Sequence, residues 1–404
     1  MSAGTHSKGP MTPKRHILFA VLDWGLGHAT RSWPLILAAR RSGAKVTVAS
    51  RGAAAAWLQH RMTELVEREL AEGIEQAPWV CLEKPGVQIR YAKGNLTLPR
   101  VALQLPRFLA SIAAERRWLE SLLSKMEVTH VVSDNCYGVC PRHHSIPSAL
   151  ITHQLAPPVP FLFRRVAVAQ IRRWAEAFGE VWIPDTAEGE LAGRLSGAAL
   201  VRRRFIGPLS RFPLEGAVDL DAVGHHEPAA PKLVGLVSGP DPQRSLMKTA
   251  LLRCFTDDGR TAVIFSGNPA GEGQVIGNVR IVPHADDRDI QRALIHAECI
   301  VCRSGYSSLM DLACLKLQAT LVPTPGQPEQ EYLAQHWQKT WGWPCIQQDQ
   351  LATLSPPNDA NSDPHTLPKF THGNLLWFHE WISPSPPSAR RRPFGMARLP
   401  FGGR

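Results

Sequence analysis

Alternating apolar runs, glycine turns and amphipathic stretches predict parallel α/β structure at the start of the chain. From Ile17 the sequence reads as a strand (ILFAVL), the loop DWGLGHATR, and an amphipathic helix to Arg41. A second strand follows at residues 45–49, after the stop signal Ser42-Gly43. A strand, a helix and a strand in this order form a βαβ unit, which implies a parallel sheet.

Two further apolar runs in the first half of the chain end in polar residues. Residues 128–133 (VTHVVS) lead to Asp134 and Asn135, and residues 148–152 (SALIT) lead to His153. The carboxyl ends of parallel strands border the ligand crevice of an open sheet. We therefore expect these polar side chains to face a binding site.

A stretch rich in proline and glycine at residues 207–232 interrupts the pattern, which then restarts with strands at 233–237, 262–265 and 299–302. We predict an α/β protein with two facing Rossmann-like domains and a cleft between them. The predicted segments are an N-terminal domain (12–212), a linker (213–231), a C-terminal domain (232–383) and a disordered arginine-rich tail (384–404).

Size and charge limit the classes of protein to which this chain could belong. At 404 residues the chain exceeds what one core usually supports, and 44% of it is apolar, enough for two cores. The net charge is +10, but five arginines after Glu380 and three basic residues before His16 account for eight of these charges. The body is nearly balanced, which argues against a nucleic-acid-binding protein.

The cysteine distribution predicts a reducing, cytoplasmic compartment, because the eight cysteines are spread through a chain too large to need disulfides. The apolar run at 17–22 is too short for a signal-peptide core, and no run is long enough to span a bilayer. Residues 161–178 mix apolar residues with four arginines, a pattern typical of a helix on an anionic membrane. The alternative is a helix that packs on its own domain.

The most specific segment is residues 302–334, CRSGYSSLMDLACLKLQATLVPTPGQPEQEYLA. A strand is followed by Ser304-Gly305 at a helix start, then by a second strand and a proline-glycine loop. Free amides at a helix N-terminus favour an anion such as a diphosphate. Asp311 is placed to reach a ribose hydroxyl, and Gln330 to bind sugar hydroxyls.

These residues resemble glycosyltransferase family 28, which includes the transferase that adds N-acetylglucosamine to the lipid-linked peptidoglycan precursor. Residues 281–294 resemble the family segment beside the uracil, with His284 where an apolar or aromatic residue is usual. Asp311 replaces the usual glutamate. Residues 133–138 and 204–212 also resemble a less characterised branch of predicted glycosyltransferases. The resemblance implies the GT-B fold, a donor-binding C-terminal domain and an acceptor-binding N-terminal domain.

The donor, expected to be a UDP-sugar, is a co-substrate, and no cofactor is expected. The helix start, the Ser238-Gly239 turn and two arginines supply positive potential to a leaving diphosphate, so no metal is expected. The predicted donor-site residues are Ser238, Gly239, Arg244, Ser266, Gly267, His284, Arg303, Ser304, Gly305, Tyr306, Ser307, Ser308, Asp311, Gln327, Glu329 and Gln330.

The loop at 23–31 stands where the family carries a glycine-rich acceptor-side loop that contains a histidine. Trp24 and Leu26 are too bulky for a phosphate cradle, so the loop is interpreted as part of an acceptor site. His28 is the candidate general base, and Asp134 could orient it. The other predicted acceptor-side residues are Asp23, Trp24, Gly25, Gly27, Arg31, Asn135 and His153.

The predicted function is an inverting, metal-independent transfer of a hexose or N-acetylhexosamine. The sequence does not identify the acceptor, and lipid-linked acceptors are among the candidates. The alternatives are a nucleotide-sugar 2-epimerase on the same fold and a non-catalytic nucleotide-sugar-binding protein. Two groups of residues that resemble metal-binding motifs are discounted. Cys136, Cys140, His143 and His144 lack a recognised zinc spacing, and the Asp219-Leu220-Asp221 triplet lies in the predicted linker.

Overall fold

The computed structural model describes most of the chain. The described residues are 15–74, 77–87, 104–142, 144–159, 161–197, 200–212, 230–268, 271–357 and 375–383. The predicted tail, nearly all of the predicted linker, His143 and the 219–221 triplet lie outside them.

The first half of the chain forms a parallel sheet of seven strands. They are β1 (His16–Val21), β2 (Lys45–Ser50), β3 (Trp79–Glu83), β4 (His130–Asp134), β5 (Ser148–Ile151), β6 (Glu180–Ile183) and β7 (Arg203–Phe205), in the order β3-β2-β1-β4-β5-β6-β7. The helices among its described residues are α1 (Gly27–Arg41), α2 (Gly52–Ala71), α3 (Leu105–Leu123) and α4 (Phe161–Ala175). The strand order reverses between β1 and β4, which is the switch point where open sheets place ligands.

The second half forms a six-stranded sheet in which only the edge strand β10 runs antiparallel. Its strands are β8 (Leu233–Leu236), β9 (Ala262–Phe265), β10 (Gln274–Ile276), β11 (Val279–Val282), β12 (Cys299–Cys302) and β13 (Thr320–Leu321), in the order β10-β11-β9-β8-β12-β13. The helices are α5 (Gln243–Asp258), α6 (Asp287–Ile295), α7 (Tyr306–Cys314) and α8 (Pro328–Trp341). Its switch point lies between β8 and β12. Two mostly parallel sheets confirm the predicted α/β architecture.

The final helix, α9 (Leu376–Ile382), packs on the first sheet, although the sequence places it with the second half of the chain. The ring centroids of Phe378 and Phe19 lie 6.4 Å apart, and those of Trp381 and Trp182 lie 4.7 Å apart. Conversely, Leu191 belongs to the core of the second sheet. The chain therefore crosses between the two halves more than once.

Among the described residues, none of the helices combines the length and apolar character that crossing a bilayer requires.

Candidate functional site

The switch points of the two sheets face each other. The Ser307 hydroxyl, in the first turn of α7, donates a hydrogen bond of 2.8 Å to the Gly27 carbonyl oxygen at the start of α1. A Cβ on residue 27 would lie 2.7 Å from the Ser307 hydroxyl oxygen, so a larger residue there would displace the Ser307 side chain. The predicted acceptor loop and the predicted donor helix are thus in direct contact.

His28 and Asp134 lie together at the switch point of the first sheet. His28 is in the first turn of α1, Asp134 ends β4, and the His28 Nδ1 atom is 2.9 Å from Asp134 Oδ1. The Asp134 side chain is 1% exposed and that of His28 is 17% exposed. A buried carboxylate behind a partly exposed imidazole is the arrangement by which an acid orients a general base.

Asp134 also accepts hydrogen bonds from two other residues of α1. Arg31 donates from Nε over 2.7 Å and from a terminal nitrogen, and the Ser32 hydroxyl donates over 2.9 Å. Burial acts to raise the pKa of Asp134, but the Arg31 guanidinium and His28 hold it well below its usual range. Asp134 is therefore a carboxylate at neutral pH.

His153 connects Arg31 to the second half of the chain. Its Nδ1 atom is 2.9 Å from a terminal nitrogen of Arg31, and its Nε2 atom is 2.8 Å from Glu329 Oε1 in the first turn of α8. Its ring stacks on Tyr306 at a centroid distance of 3.8 Å. Burial lowers the pKa of His153, which favours the neutral ring that accepts from Arg31 and donates to Glu329.

Glu329 is ionised in this arrangement. Burial acts to raise the pKa of Glu329, but the hydrogen bond from His153 lowers it below the ordinary value. The residue predicted to border the donor sugar therefore contacts a residue predicted on the acceptor side. The two predicted sets are joined by one hydrogen-bonded chain.

The predicted donor turns lie beside each other at the ends of β8 and β9. Ser238-Gly239 follows β8 and Ser266-Gly267 follows β9, and Arg244 of α5 donates to the Gly267 carbonyl over 3.1 Å. Gly267 has φ +58°, and a Cβ there would lie 2.7 Å from the Val237 carbonyl oxygen. These turns and the start of α7 surround the second switch point.

The start of α7 has the features of an anion site. Gly305 is the N-cap residue, and as a glycine it has no side chain to cap the helix. Apart from chain neighbours, no atom of the described residues lies within 4 Å of the place that a Cβ on Gly305 would occupy. Amides of an uncapped helix start beside open space can receive a phosphate group.

Arg303, a predicted donor-site residue, makes its hydrogen bonds inside the protein. Its guanidinium is buried and donates to the carbonyl oxygens of Gln243, Val322 and Pro323 over 2.9–3.3 Å. Burial lowers the pKa of Arg303 to about 10. A side chain committed to three carbonyls ties together the loops around β12 and β13, and it is not placed to receive a diphosphate.

Asp311 is likewise occupied. Its Oδ1 atom accepts a hydrogen bond of 2.7 Å from the Ser210 hydroxyl, and its Oδ2 atom lies 3.1 Å from Arg211 Nε. Burial raises the pKa of Asp311, while Arg211 and Ser210 oppose the rise. The carboxylate that the sequence assigns to a ribose instead holds the segment that leaves the first sheet.

Side chains around the start of α8 make hydrogen bonds that hold the loop preceding this helix. The Gln327 side chain caps the helix by accepting from the Gln330 amide over 2.7 Å. Gln330 Oε1 accepts from the Thr324 amide over 2.9 Å, and the Gln330 carbonyl accepts from the Ser304 hydroxyl over 2.7 Å. Ser308, in the first turn of α7, is half-buried.

Two of the remaining acceptor-side candidates, Trp24 and Asn135, line a small cavity. Trp24 donates to the Val87 carbonyl over 2.9 Å and lines a cavity of about 10 Å³ together with Asn135. Asn135 has φ +54°, and its buried Oδ1 atom has no hydrogen-bond partner among the described residues. Asp23 lies 3.4 Å from Arg51, and Gly25 has φ +109°.

His284 lies apart from these groups. It is exposed, and its ring centroid is 5.5 Å from that of His60 on α2. His284 therefore contacts a residue of the other half of the chain, and this contact does not involve the start of α7.

Sequence reasoning missed the connecting role of Arg31. It lies three residues after His28, so both side chains share one face of α1, and this spacing is a usable signal. The stacking of His153 on Tyr306 had no such signal, because it depends on how the two halves meet.

No group of three or more histidine, cysteine or acidic side chains that could hold a metal occurs in the part of the chain that the structure describes. Of the discounted set, Cys136 and Cys140 are buried and donate to backbone carbonyls, and His144 pairs with Glu120 at 2.8 Å.

Comparisons with known proteins find the fold but no sequence family. No protein-family model and no curated protein matches the chain. The resemblance to family 28 therefore stays a prediction.

Several solved glycosyltransferases match nearly the whole chain. The calicheamicin glycosyltransferase CalG4 is 17% identical, with a TM-score of 0.52 over 92% of each chain. The spinosyn rhamnosyltransferase SpnG complexed with thymidine diphosphate is 14% identical, with a TM-score of 0.51 over 84% of this chain and 90% of that one. Arabidopsis thaliana UGT89C1 complexed with UDP-L-rhamnose is 15% identical, with a TM-score of 0.51 over 85% and 89%. The chain has the GT-B fold of these glycosyltransferases.

Proposed function

We propose that this chain is an inverting glycosyltransferase that uses a nucleoside-diphosphate sugar. The observation that carries the proposal is the placement of the His28–Asp134 pair at one switch point, facing an uncapped helix start at the other. The solved structures that share the fold support it, since one binds thymidine diphosphate and another UDP-L-rhamnose.

The donor diphosphate would lie at the start of α7, beside the Ser238-Gly239 turn. Backbone amides at Gly305 and after it, together with the helix macrodipole, stabilise the charge that develops on the leaving group. Arg244, which pairs with Asp241, donates to the Gly267 carbonyl oxygen beside these turns. This arrangement needs no metal ion. We propose a hexose or N-acetylhexosamine, with UDP as the nucleotide.

The chemistry would take place between the halves. The Nε2 atom of His28 accepts the proton of the acceptor hydroxyl as that oxygen attacks the anomeric carbon. The bond between the anomeric carbon and the diphosphate oxygen breaks, and its electron pair leaves with the diphosphate. Asp134 stabilises the imidazolium that forms. Attack on the face opposite the leaving group inverts the anomeric configuration.

We further propose an acceptor that reaches the site from a membrane surface, with the chain bound peripherally to the cytoplasmic face. At the start of α4, Phe161, Leu162 and Val166 are 90%, 80% and 72% exposed. Arg164 and Arg165, between these residues, are also exposed, whereas Arg172 further along the helix pairs with Glu176 at 2.7 Å. Exposed apolar side chains beside arginines can bind an anionic bilayer. A chain bound in this way would meet a lipid-linked acceptor at the membrane surface.

A ligand screen followed by a turnover assay tests the transferase proposal. UDP-, GDP-, TDP- and CDP-sugars are compared by thermal shift, since a ligand that binds the folded state raises the melting temperature. Release of the nucleoside diphosphate is then measured for the best donor. His28→Ala should keep the thermal shift and reduce turnover about 10²–10⁴-fold.

The matched control is His144→Ala, a surface histidine of the same half that pairs with Glu120. It should keep both binding and turnover. Unchanged turnover in His28→Ala would remove His28 from the mechanism. Conversion of the donor alone into its 2-epimer would reject the transferase in favour of an epimerase.

A further inference from the structure

The chain passes from the first core to the second within a few residues after β7. Ile206 and Leu209 are buried in the core of the first sheet, and Phe212 is buried in the core of the second. The main chain therefore crosses between the halves at residues 210–211.

Ser210 and Arg211 are bound to helices of the second half. The Ser210 hydroxyl donates to Asp311 of α7 over 2.7 Å, and Arg211 Nε lies 3.1 Å from the other oxygen of that carboxylate. A terminal nitrogen of Arg211 lies 3.3 Å from Asp287 Oδ1, in the first turn of α6. Arg211 would therefore move with the second half if the halves separated.

Asp287 has a second arginine neighbour, which belongs to the first half. A terminal nitrogen of Arg61 on α2 lies 2.8 Å from Asp287 Oδ2, and the two side chains are 19% and 9% exposed. On its own half, the Arg61 guanidinium lies 5.6 Å and 5.9 Å from the ring centroids of Trp33 and Trp57, where cation–π attraction stabilises it. The Arg61–Asp287 pair therefore joins α2 to α6 across the boundary between the halves.

Both members of this pair have another charged partner that would stay with them. The other terminal nitrogen of Arg61 lies 2.8 Å from Glu64, three residues along the same helix. Asp287 retains Arg211, which is fixed to the second half. Breaking a buried ion pair is costly when it leaves a charge without a partner. Because neither charge is left alone here, the Arg61–Asp287 pair can separate at a small cost.

The halves also touch at the candidate site itself. The Ser307 hydroxyl bonds to the Gly27 carbonyl over 2.8 Å, and the stacked rings of His153 and Tyr306 are only 3% and 4% exposed. This direct contact leaves no room for a sugar between the starts of α1 and α7. A donor that places its sugar there requires the halves to separate.

We propose that Arg61 and Asp287 form a releasable latch, which controls the separation of the halves and thereby the entry of the donor. The halves turn about residues 210–211, Arg211 moves with Asp287, and Arg61 stays with Glu64. The latch itself does not depend on the transferase proposal. Its effect on donor entry rests on the proposed function.

Hydrogen–deuterium exchange of the substrate-free protein, read by mass spectrometry, tests the latch. Arg61→Gln removes the charge that holds Asp287. It should accelerate exchange about threefold to tenfold in peptides that cover residues 24–31 and 303–309, because both border the contact between the halves. Exchange in strand β1 should not change. Unchanged exchange in the two contact peptides, or equal acceleration in β1, would overturn the latch.

The matched control is Arg260→Gln. Arg260 is 21% exposed and pairs with Asp258 and Glu298, all within the second half. Its replacement should leave exchange in the two contact peptides unchanged. Acceleration equal to that of Arg61→Gln would mean that the loss of any arginine ion pair has this effect, and it would overturn the latch.

Glu64→Gln supplies a test of opposite sign. Glu64 stabilises Arg61 when the latch is open, and its charge repels Asp287 when the latch is closed. Its replacement should therefore favour the closed arrangement and slow exchange in the two contact peptides. A general loss of stability would not slow exchange. Faster or unchanged exchange in Glu64→Gln would contradict the latch.

Nucleotide binding separates this inference from the transferase proposal. With UDP as the probe, stopped-flow tryptophan fluorescence should show faster association in Arg61→Gln and slower association in Glu64→Gln, since entry requires opening. Equal association rates in the two variants would overturn the role in donor entry. The predicted exchange pattern in a chain that binds no nucleotide would reject the transferase and retain the latch. Turnover of a nucleotide sugar with equal exchange in the two variants would reject the latch and retain the transferase.

Discussion

At the scale of single residues, the site depends on the buried ion pair between Asp134 and Arg31. Asp134 and Arg31 are 1% and 2% exposed, and each satisfies the other. The sequence could place Asp134 at a strand end and His28 at a helix start, because both are local signals. It could not show that Arg31 stands between them and His153, since that requires the fold.

Asp134→Asn should destabilise the chain, because it leaves the Arg31 guanidinium buried without its counter-ion. Breaking a buried pair by removing one partner costs about 3–5 kcal/mol. Urea unfolding measures the loss. The matched variant is Asp241→Asn, which removes the partner of Arg244 at an exposed position, and such pairs contribute about 0–1 kcal/mol. Equal losses in the two variants would contradict the account.

His130 makes folding stability depend on pH. Burial lowers the pKa of His130 to about 4 from an ordinary value of 6.5. Below pH 6.5 the unfolded chain binds a proton that the folded chain does not, so stability falls as the pH is lowered toward 4. The contribution of this residue is about 3 kcal/mol, at 1.36 kcal/mol per pKa unit.

Replacement by a side chain that does not titrate isolates this contribution. His130→Phe should flatten the decline of unfolding free energy between pH 6.5 and 4, as measured by urea unfolding at a series of pH values. A decline as steep as that of the unmodified chain would show that His130 does not carry the effect.

At the scale of secondary-structure elements, the apolar runs predicted most central strands and missed β6 and β11 inside the sheets and the edge strands β3, β7 and β10. Strands β1, β5, β8, β9 and β12 follow the predicted ranges closely, because a buried parallel strand is a continuous apolar run between turns. The pattern does not predict β3 or β7, because β7 has the exposed sequence RRF and β3 is only half-buried. Nor can it show that α9 crosses to the first sheet, since that depends on tertiary packing.

The docking of α9 should contribute strongly to the stability of the first half. Phe378 is fully buried in the first core, against Phe19 and Trp182. Phe378→Ala should lower the unfolding free energy by about 3–5 kcal/mol. Phe161→Ala, at a side chain that is 90% exposed, is the control and should change it by less than about 0.5 kcal/mol. A small loss for Phe378→Ala would mean that α9 is not firmly packed.

The exposed start of α4 should bind anionic membranes. Vesicles of phosphatidylglycerol and phosphatidylcholine should sediment the chain, and vesicles of phosphatidylcholine alone should not, because the arginines need anionic headgroups. Leu162→Ser should reduce binding several-fold without changing the melting temperature, since its side chain is 80% exposed. Equal binding to both vesicle types, or none to either, would reject the membrane surface.

At the scale of the whole molecule, the halves are joined by polar contacts that surround the candidate site. Arg61 of α2 lies 2.8 Å from Asp287 of α6, and His153 lies 2.8 Å from Glu329. The sequence predicted two facing sheets, because a βαβ pattern occurs twice. It could not predict that the Asp311 and Arg303 side chains would bond to other residues of the chain. The order of motifs does not specify the hydrogen-bond partners of a side chain.

The central claim is that a nucleoside-diphosphate sugar lies between the two switch points, with its diphosphate at the start of α7. A crystal structure with the best donor from the ligand screen, or with a non-transferable analogue of it, tests this directly. We predict the diphosphate on the backbone amides that follow Gly305 and the anomeric carbon facing His28 Nε2. A nucleotide bound elsewhere, or a sugar out of reach of His28, would contradict the account.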